Sequence, residues 1–315
     1  MSSGHAHAHN HGLSVADSSA ITRRVTYYSV AVASILVAAK AYAWWASHSV
    51  AMLASMADSG LDLAASLITF FVVRYAATPP DEEHRFGHGK AEAFSSLIQA
   101  GLVFSSAALV GREAVMAMIN PQPVHQGVLA MAVMGLSIVL TGLLITAQGR
   151  ALKKTSSVAV SGDRAHYAAD LASNLVALIG IAAVSATGIL RFDAIAGLII
   201  ALWLVWGAIG VFREASVQLM DRELPEASRD RIRELVTADG RITSVHNLRT
   251  RASGPVIHIQ LHADLDPDIT LVAAHEAVVA AEERLLKAFP AADIIIHPDP
   301  RGKAEPHGGA FPETH

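Results

Sequence analysis

The 315-residue sequence contains no cysteine. Disulfides, thiolate-bound zinc and cysteine nucleophiles are therefore all excluded. Charge is also scarce: Asp, Glu, Lys and Arg make up 17% of the chain, against about 25% in soluble domains. The formal net charge of -4 is too small to select nucleic acid or an anionic surface as a partner. The first twenty residues are polar and lack an apolar core segment, so no cleaved signal peptide is expected. Hydrophobic residues, by contrast, account for 52% of the chain, and there are 16 histidines. This is the composition of a membrane protein whose metal chemistry must use imidazole and carboxylate.

Residues 1–22 read as a disordered tail in which His5, His7, His9 and His11 alternate with small and polar residues. Such a tail can bind metal but cannot build a core. Six apolar segments follow, at about 25–46, 50–76, 91–118, 126–148, 158–186 and 192–212, each near the roughly 20 residues that span a bilayer. Lys40 interrupts the first but lies within reach of an interface, to which it could snorkel. Basic residues cluster on alternate connections: Arg23 and Arg24, then Arg74, Arg85 and Lys90, then Arg150, Lys153, Lys154 and Arg164, then Arg213. Arg112 and Arg191 are the exceptions. This asymmetry places both termini in the cytoplasm.

The domain plan expected is a tail at 1–22, a six-helix transmembrane domain at 23–212, a soluble domain at 213–300 and a flexible tail at 301–315. In the soluble part, an amphipathic helix after Pro225 precedes strand-like runs at 243–251 and 255–264. A helical period covers 270–289, and Asp293-Ile-Ile-Ile-His297 is a last short strand. The order αββαβ predicts a small α+β domain with its helices on one face of the sheet.

Three groups of residues carry possible chemistry. Asp58 and Asp62 stand at i and i+4, as do His166 and Asp170, so each pair shares a helix face inside an apolar run. An Asp near the bilayer centre costs roughly 2.5–3.5 kcal/mol on insertion scales, and three cost about 8–10 kcal/mol. A chain that keeps them is expected to turn them toward one another around a divalent cation. Four oxygen and nitrogen donors suffice for a tetrahedral site. Without sulfur the ion is one of Zn²⁺, Fe²⁺, Co²⁺, Cd²⁺ and Mn²⁺, which this donor set does not separate sharply. The second group, Asp81, His84 and His88, lies in the connection between spans two and three and could hold a metal at the cytoplasmic mouth. Gly89-Lys90 there is followed by Ala91 and lacks the spaced leading glycine of a phosphate loop.

The third group is His246, His262, His275, His297 and Asp299. Strand alternation puts His258 and His262 opposite Ile257, Ile259 and Leu261, and gives His297 and Asp299 a common face. His275-Glu276 lacks the second histidine of a metalloprotease helix, since position 279 is Val. Several histidines converging on one small domain point to metal sensing.

At these residues the chain resembles the cation diffusion facilitator family, and within it the bacterial inner-membrane zinc and iron efflux transporters. The motifs, in order, are Ser55-x-x-Asp58-x-x-x-Asp62, His84-x-Phe-Gly-His88-Gly-Lys90, His166-x-x-x-Asp170, Asp221-Arg-x-Leu-Pro225 and His297-Pro-Asp299. The resemblance implies a multi-pass homodimer with a cytoplasmic domain like a metallochaperone, of ferredoxin-like fold. It implies export of Zn²⁺, or of Fe²⁺ or Cd²⁺, in exchange for protons through Asp58, Asp62, His166 and Asp170. It also implies a peripheral site at Asp81, His84 and His88. A regulatory binuclear site at the dimer interface would use His246, His262, His297 and Asp299, completed by His275. Lys90 and Asp221 match the family's interlocking salt bridge. His258 has no role in this scheme. A metal channel or a membrane-anchored metal sensor are the rival readings, while an enzyme would need a general base beside an open metal position, and none is visible.

Overall fold

In the computed structural model, residues 13–48, 50–119, 128–187 and 191–303 are described. Most of the His-rich tail, the expected second and third outer connections, and the end of the C-terminal tail lie outside them. The chain divides into two compact units, Ser19–Ser216 and one that contains Val217 onward.

The first unit is built from six long helices: α1 (Val15–Ser47), α2 (Val50–Ala76), α3 (Ala91–Ile119), α4 (Val128–Leu152), α5 (Val158–Thr187) and α6 (Arg191–Leu219). Two boundaries differ from the sequence expectation. Helix α1 starts at Val15, after Ser14 accepts a hydrogen bond from the Asp17 amide, so 15–22 is helix rather than tail. Helix α6 runs past the first charges, Arg213 and Glu214, because both are good helix formers and no Gly or Pro intervenes. It stops where Asp221 takes a positive φ of 52° and the Arg222 amide reaches back to the Val217 carbonyl, a Schellman-type ending.

Five of these helices, α1, α2, α3, α4 and α6, are long and apolar enough over their described residues to cross a membrane. Helix α5 carries Asp163, Arg164, His166 and Asp170 in its first half. It packs against α2, α3 and α4, and Ala169 joins Val103, Ala107, Leu204 and Ala208 in a small apolar cluster that also brings in α6. The helix with the polar first half is therefore packed among the apolar ones. Around it the pattern of a soluble core is inverted. Buried positions include Ser66, Thr69, Ser95, Ser96, Gln99 and Gln148, whereas Phe71, Phe104, Leu202 and Trp206 are exposed. Large apolar side chains point outward, and small or hydrogen-bonding ones join the helices, the pattern of a membrane helix bundle.

The second unit contains α7 (Glu226–Thr237), β1 (Ser244–Ser253), β2 (Val256–Leu265), α8 (Leu271–Ala288) and β3 (Ala292–Pro300), the αββαβ order expected. Strand β2 is central, antiparallel to β1 and parallel to β3. Its odd-numbered residues Ile257, Ile259, Leu261, Ala263 and Leu265 form one core with Ile232 and Val236 of α7 and Ala277, Ala281 and Leu285 of α8. Both helices thus cover one face, and the even-numbered residues, including His258 and His262, fall on the other.

Arg284 ties the two helices together. Its Nε and Nη2 donate to the Leu235 and Val236 carbonyls at 2.7 and 3.0 Å, and its Nη1 reaches Asp239 at 2.9 Å. These bonds satisfy the otherwise unpaired last carbonyls of α7. Arg284→Ala is expected to lower the stability of this unit by about 1.5–3 kcal/mol, the range for hydrogen bonds to charged groups, as read by thermal unfolding. Burial alone would raise the Asp239 pKa, but hydrogen bonds from Arg241 and Arg284 outweigh it and hold the carboxyl at about 2. The stabilisation is fully present above the ordinary carboxylate range near pH 4 and is lost as pH falls toward 2. Screened by solvent, it amounts to at most about 1 kcal/mol. The same substitution should flatten that acid-side slope.

Candidate metal centres

Among the described residues, three clusters of ligand-type side chains form, each within one unit. In the first, α2 supplies Asp62 and α5 supplies His166 and Asp170. Their ligand atoms lie within 4.8 Å of one another. His166 Nε2 is 3.1 Å from Asp62 Oδ1 and 3.7 Å from Asp170 Oδ2. His166 is only 4% exposed. Its Nδ1 and Asp170 Oδ2 have no hydrogen-bond partner among the described residues, as at a site shaped for an ion or water. Asp58, one turn before Asp62, is outside this triad. It lines the same cavity of about 200 Å³, whose wall includes Asp62, Asp170, Ser173, Asn174 and Lys40. Lys40 turns to the cavity: its Nζ donates to Ser59 Oγ at 2.5 Å, next in sequence to Asp58.

Beneath the triad runs a buried hydrogen-bond network that the motif reading passed over. Asp163, 1% exposed, accepts from Ser29 Oγ at 2.6 Å and Gln148 Nε2 at 2.8 Å. Tyr167 donates to the Ser29 carbonyl and pairs with Ser66. The network joins α1, α2, α4 and α5 and fixes the rotation of α5 about its axis. The sequence signal was available, because 163, 166 and 170 share one helix face at i, i+3 and i+7.

In the second cluster, Asp81 Oδ2 is 3.2 Å from His88 Nε2 and Asp81 Oδ1 is 3.5 Å from His84 Nδ1. Thr78 Oγ1 donates to the Tyr75 carbonyl, so it accepts from His88 Nδ1 at 2.9 Å. That assigns the proton to Nδ1 in the neutral ring and aims the Nε2 lone pair at Asp81, a pairing that is favourable only with a proton or cation between them. The loop itself is preformed, since Asp81 Oδ1 accepts from the amides of His84 and Glu83 at 2.6 and 3.0 Å. The bond from the His84 amide is the main reason the Asp81 carboxyl titrates below its ordinary range.

The third cluster is a row across the uncovered face of the sheet. Register pairs His246 with His262 and His262 with His297, and the next row pairs Ser244 with Asp264 and Asp264 with Asp299. Asp299, 6% exposed, gathers the three imidazoles: His262 Nδ1 at 2.8 Å, His246 Nε2 at 3.2 Å and His297 Nε2 at 3.2 Å. Burial works against its charge. The hydrogen bond from His262 and the nearby imidazoles outweigh burial, and its pKa lies below the ordinary value. A β-bulge after His246, with Asn247 at φ 49°, bends β1 beside the row.

One expected member behaves differently, and one residue joins that was not expected. His275 is exposed on α8, whose packing face covers the opposite side of the sheet, so within one chain it does not join the row. Asp264, not singled out from the sequence, stands 3.5 Å from His246 Nδ1 and shares the face of His262 by alternation. His258 is held by Asp293 at 3.0 Å, a separate pair in which the imidazole is buried and the carboxylate exposed. Lys90 and Asp221 belong to different units; within its own unit Asp221 accepts from Arg251 at 3.3 Å.

The cation efflux transmembrane domain matches residues 26–220, and the cytoplasmic domain of cation efflux proteins matches 224–301. The cation-efflux pump FieF of Cronobacter sakazakii is 38% identical over 280 residues, covering 89% of this chain and 93% of its own. FieF of Salmonella schwarzengrund is 36% identical over 291 residues, covering 92% and 97%. Together with the apolar helices and the polar seam around α5, these matches place the chain in the cation efflux family, the cation diffusion facilitators, as a multi-pass membrane transporter and not an enzyme.

Proposed function

We propose that this protein exports Zn²⁺ from the cytoplasm in exchange for protons, with Fe²⁺ and Cd²⁺ as alternative cargo. It would sit in the bacterial inner membrane with both termini cytoplasmic. The observation that carries this reading is the Asp62–His166–Asp170 triad, set between helices at the edge of a cavity and completed by Asp58. His166 Nε2 faces both carboxylates. That nitrogen can carry a proton or ligate a metal, but not both, so arrival of the cation releases the proton. Return of a proton from the outer side then breaks the cage and expels the metal. Exchange follows from the donor set itself.

Asp81, His84 and His88 serve as an entry station at the cytoplasmic mouth. In the second unit, His246, His262, His297 and Asp299 form a sensor, with His275 contributed by a second copy of the chain in a homodimer. Metal at the sensor shifts the population toward the transporting state.

The test is Zn²⁺ flux into proteoliposomes of the purified protein with and without an imposed proton gradient. Flux that rises with an opposing gradient is expected; flux indifferent to the gradient points to a channel. In the same assay His262→Ala should raise the metal concentration needed for activation by at least about tenfold, as expected for loss of a ligand-sphere group. An unchanged activation curve would remove the sensor from the scheme.

A further inference from the structure

We propose that Lys40 is a tethered counter-cation that sets the net charge of the transport cage and so matches it to a divalent ion. This rests on reading Asp58, Asp62, His166 and Asp170 as that cage. Lys40 is a half-buried lysine inside an apolar membrane helix, a position that is unfavourable unless the charge is compensated. On α1 it shares a face with Ala33 and Leu36, at i-7 and i-4, and all three line the cavity that holds Asp58, Asp62 and Asp170. Buried Ser59, next to Asp58, accepts from its Nζ at 2.5 Å.

The consequence is a matter of charge count. In the metal-binding form His166 is neutral, and the cavity holds three carboxylates and one ammonium. The remainder is two negative charges, which one divalent cation neutralises. Without Lys40 a bound divalent cation would leave one carboxylate uncompensated in a confined, low-dielectric space. Attraction for the cation then rises, and the ion is held where it should be released. Lys40 thereby trades affinity for turnover. It ligates nothing: an ammonium offers three donors and no lone pair. It acts by position and charge alone.

The test uses the full-length protein in proteoliposomes, with initial Zn²⁺ flux measured against Zn²⁺ concentration under a fixed proton gradient. Lys40→Met is expected to lower both the half-saturating concentration and the maximal rate by about tenfold, equivalent to about 1.4 kcal/mol. Lys40→Arg keeps the charge and should restore both values to within about threefold of the parent. A merely structural role would show the reverse: the bulky arginine would fail along with methionine, and the half-saturating concentration would not fall. Lys40→Gln, which can still hydrogen-bond Ser59, covers the case in which methionine impairs folding, and it should behave as methionine does. An unchanged or raised half-saturating concentration in the neutral variants overturns the proposal. Normal flux in Asp62→Ala, run in parallel, would overturn the cage reading instead, so the two failures are separable.

Discussion

Asp62→Ala will abolish metal transport. The substitution removes the oxygen 3.1 Å from His166 Nε2 and leaves the imidazole facing Asp170 alone, at 3.7 Å. A cluster whose ligand atoms lie within 4.8 Å of one another becomes a two-point contact. Loss of groups that only orient ligands commonly weakens metal binding by about 10–100-fold, so loss of a ligand should exceed about 100-fold. In proteoliposomes that is no measurable flux at micromolar Zn²⁺. Asp62→Asn is equally informative. It keeps the size and a hydrogen-bond acceptor for His166 but removes the charge that offsets the cation, and it should also be inactive. Neither change touches the packing of α2 against α3, so thermal unfolding in detergent should move little. Retention of more than about a tenth of the parental flux in either variant would mean that the triad is not the transport site.

The second large effect is expected at a residue that offers no ligand. Gly162 lies one turn before His166, where α5 rests on α3. A Cβ built there meets Ser96 Oγ at 3.0 Å, Gln99 Cβ at 3.1 Å and the Ser96 Cα at 3.1 Å. A hydroxyl can rotate away, but a helix backbone cannot. Gly162→Ala should therefore cost about 1–3 kcal/mol as overpacking, in spite of alanine's better helix propensity. Gly162→Leu should force α5 off α3, turn His166 away from Asp62 and eliminate both transport and a cooperative unfolding transition. Gly210 on α6 is the control, with nothing within 4 Å of a Cβ there. Gly210→Ala should be neutral or mildly stabilising. If Gly162→Leu folds and transports like its parent, close α3–α5 contact is not what positions the cage.

The i, i+4 pairs of ligand residues were legible because helical geometry ties spacing to direction, and an aspartate in an apolar run has few compensated placements other than a polar interior. The αββαβ order was equally legible from the switch between periods of 3.6 and 2, and the His258/His262 face from alternation along β2. Other features depended on contacts between segments far apart in the chain. Lys40 looked like an interfacial lysine because its distance from the end of α1 permits snorkelling; only the packing of α1 near Ser59 shows that it enters the cavity. Asp163 sat in view three residues before His166, yet its partners Ser29 and Gln148 are 134 and 15 residues away, and nothing local marks them. His275 was grouped with the sheet histidines by residue type, while the tertiary structure puts its helix on the opposite face. The end of α6 was placed too early because a hydropathy run stops at the first charge, whereas a helix stops where its backbone is capped.

The sequence by itself determined the composition-level exclusions, the apolar segments, the αββαβ domain and the family, since these depend on local periodicity, residue chemistry and motif order. The tertiary structure decided which of the candidate residues meet. It closed Asp62, His166 and Asp170 into one cluster, left Asp58 and Lys40 on the cavity wall, and drew three imidazoles onto Asp299. The reason is physical. Side-chain direction along one helix or strand follows from backbone geometry, but the meeting of two helices depends on how small residues such as Gly162 and Ser96 let them approach.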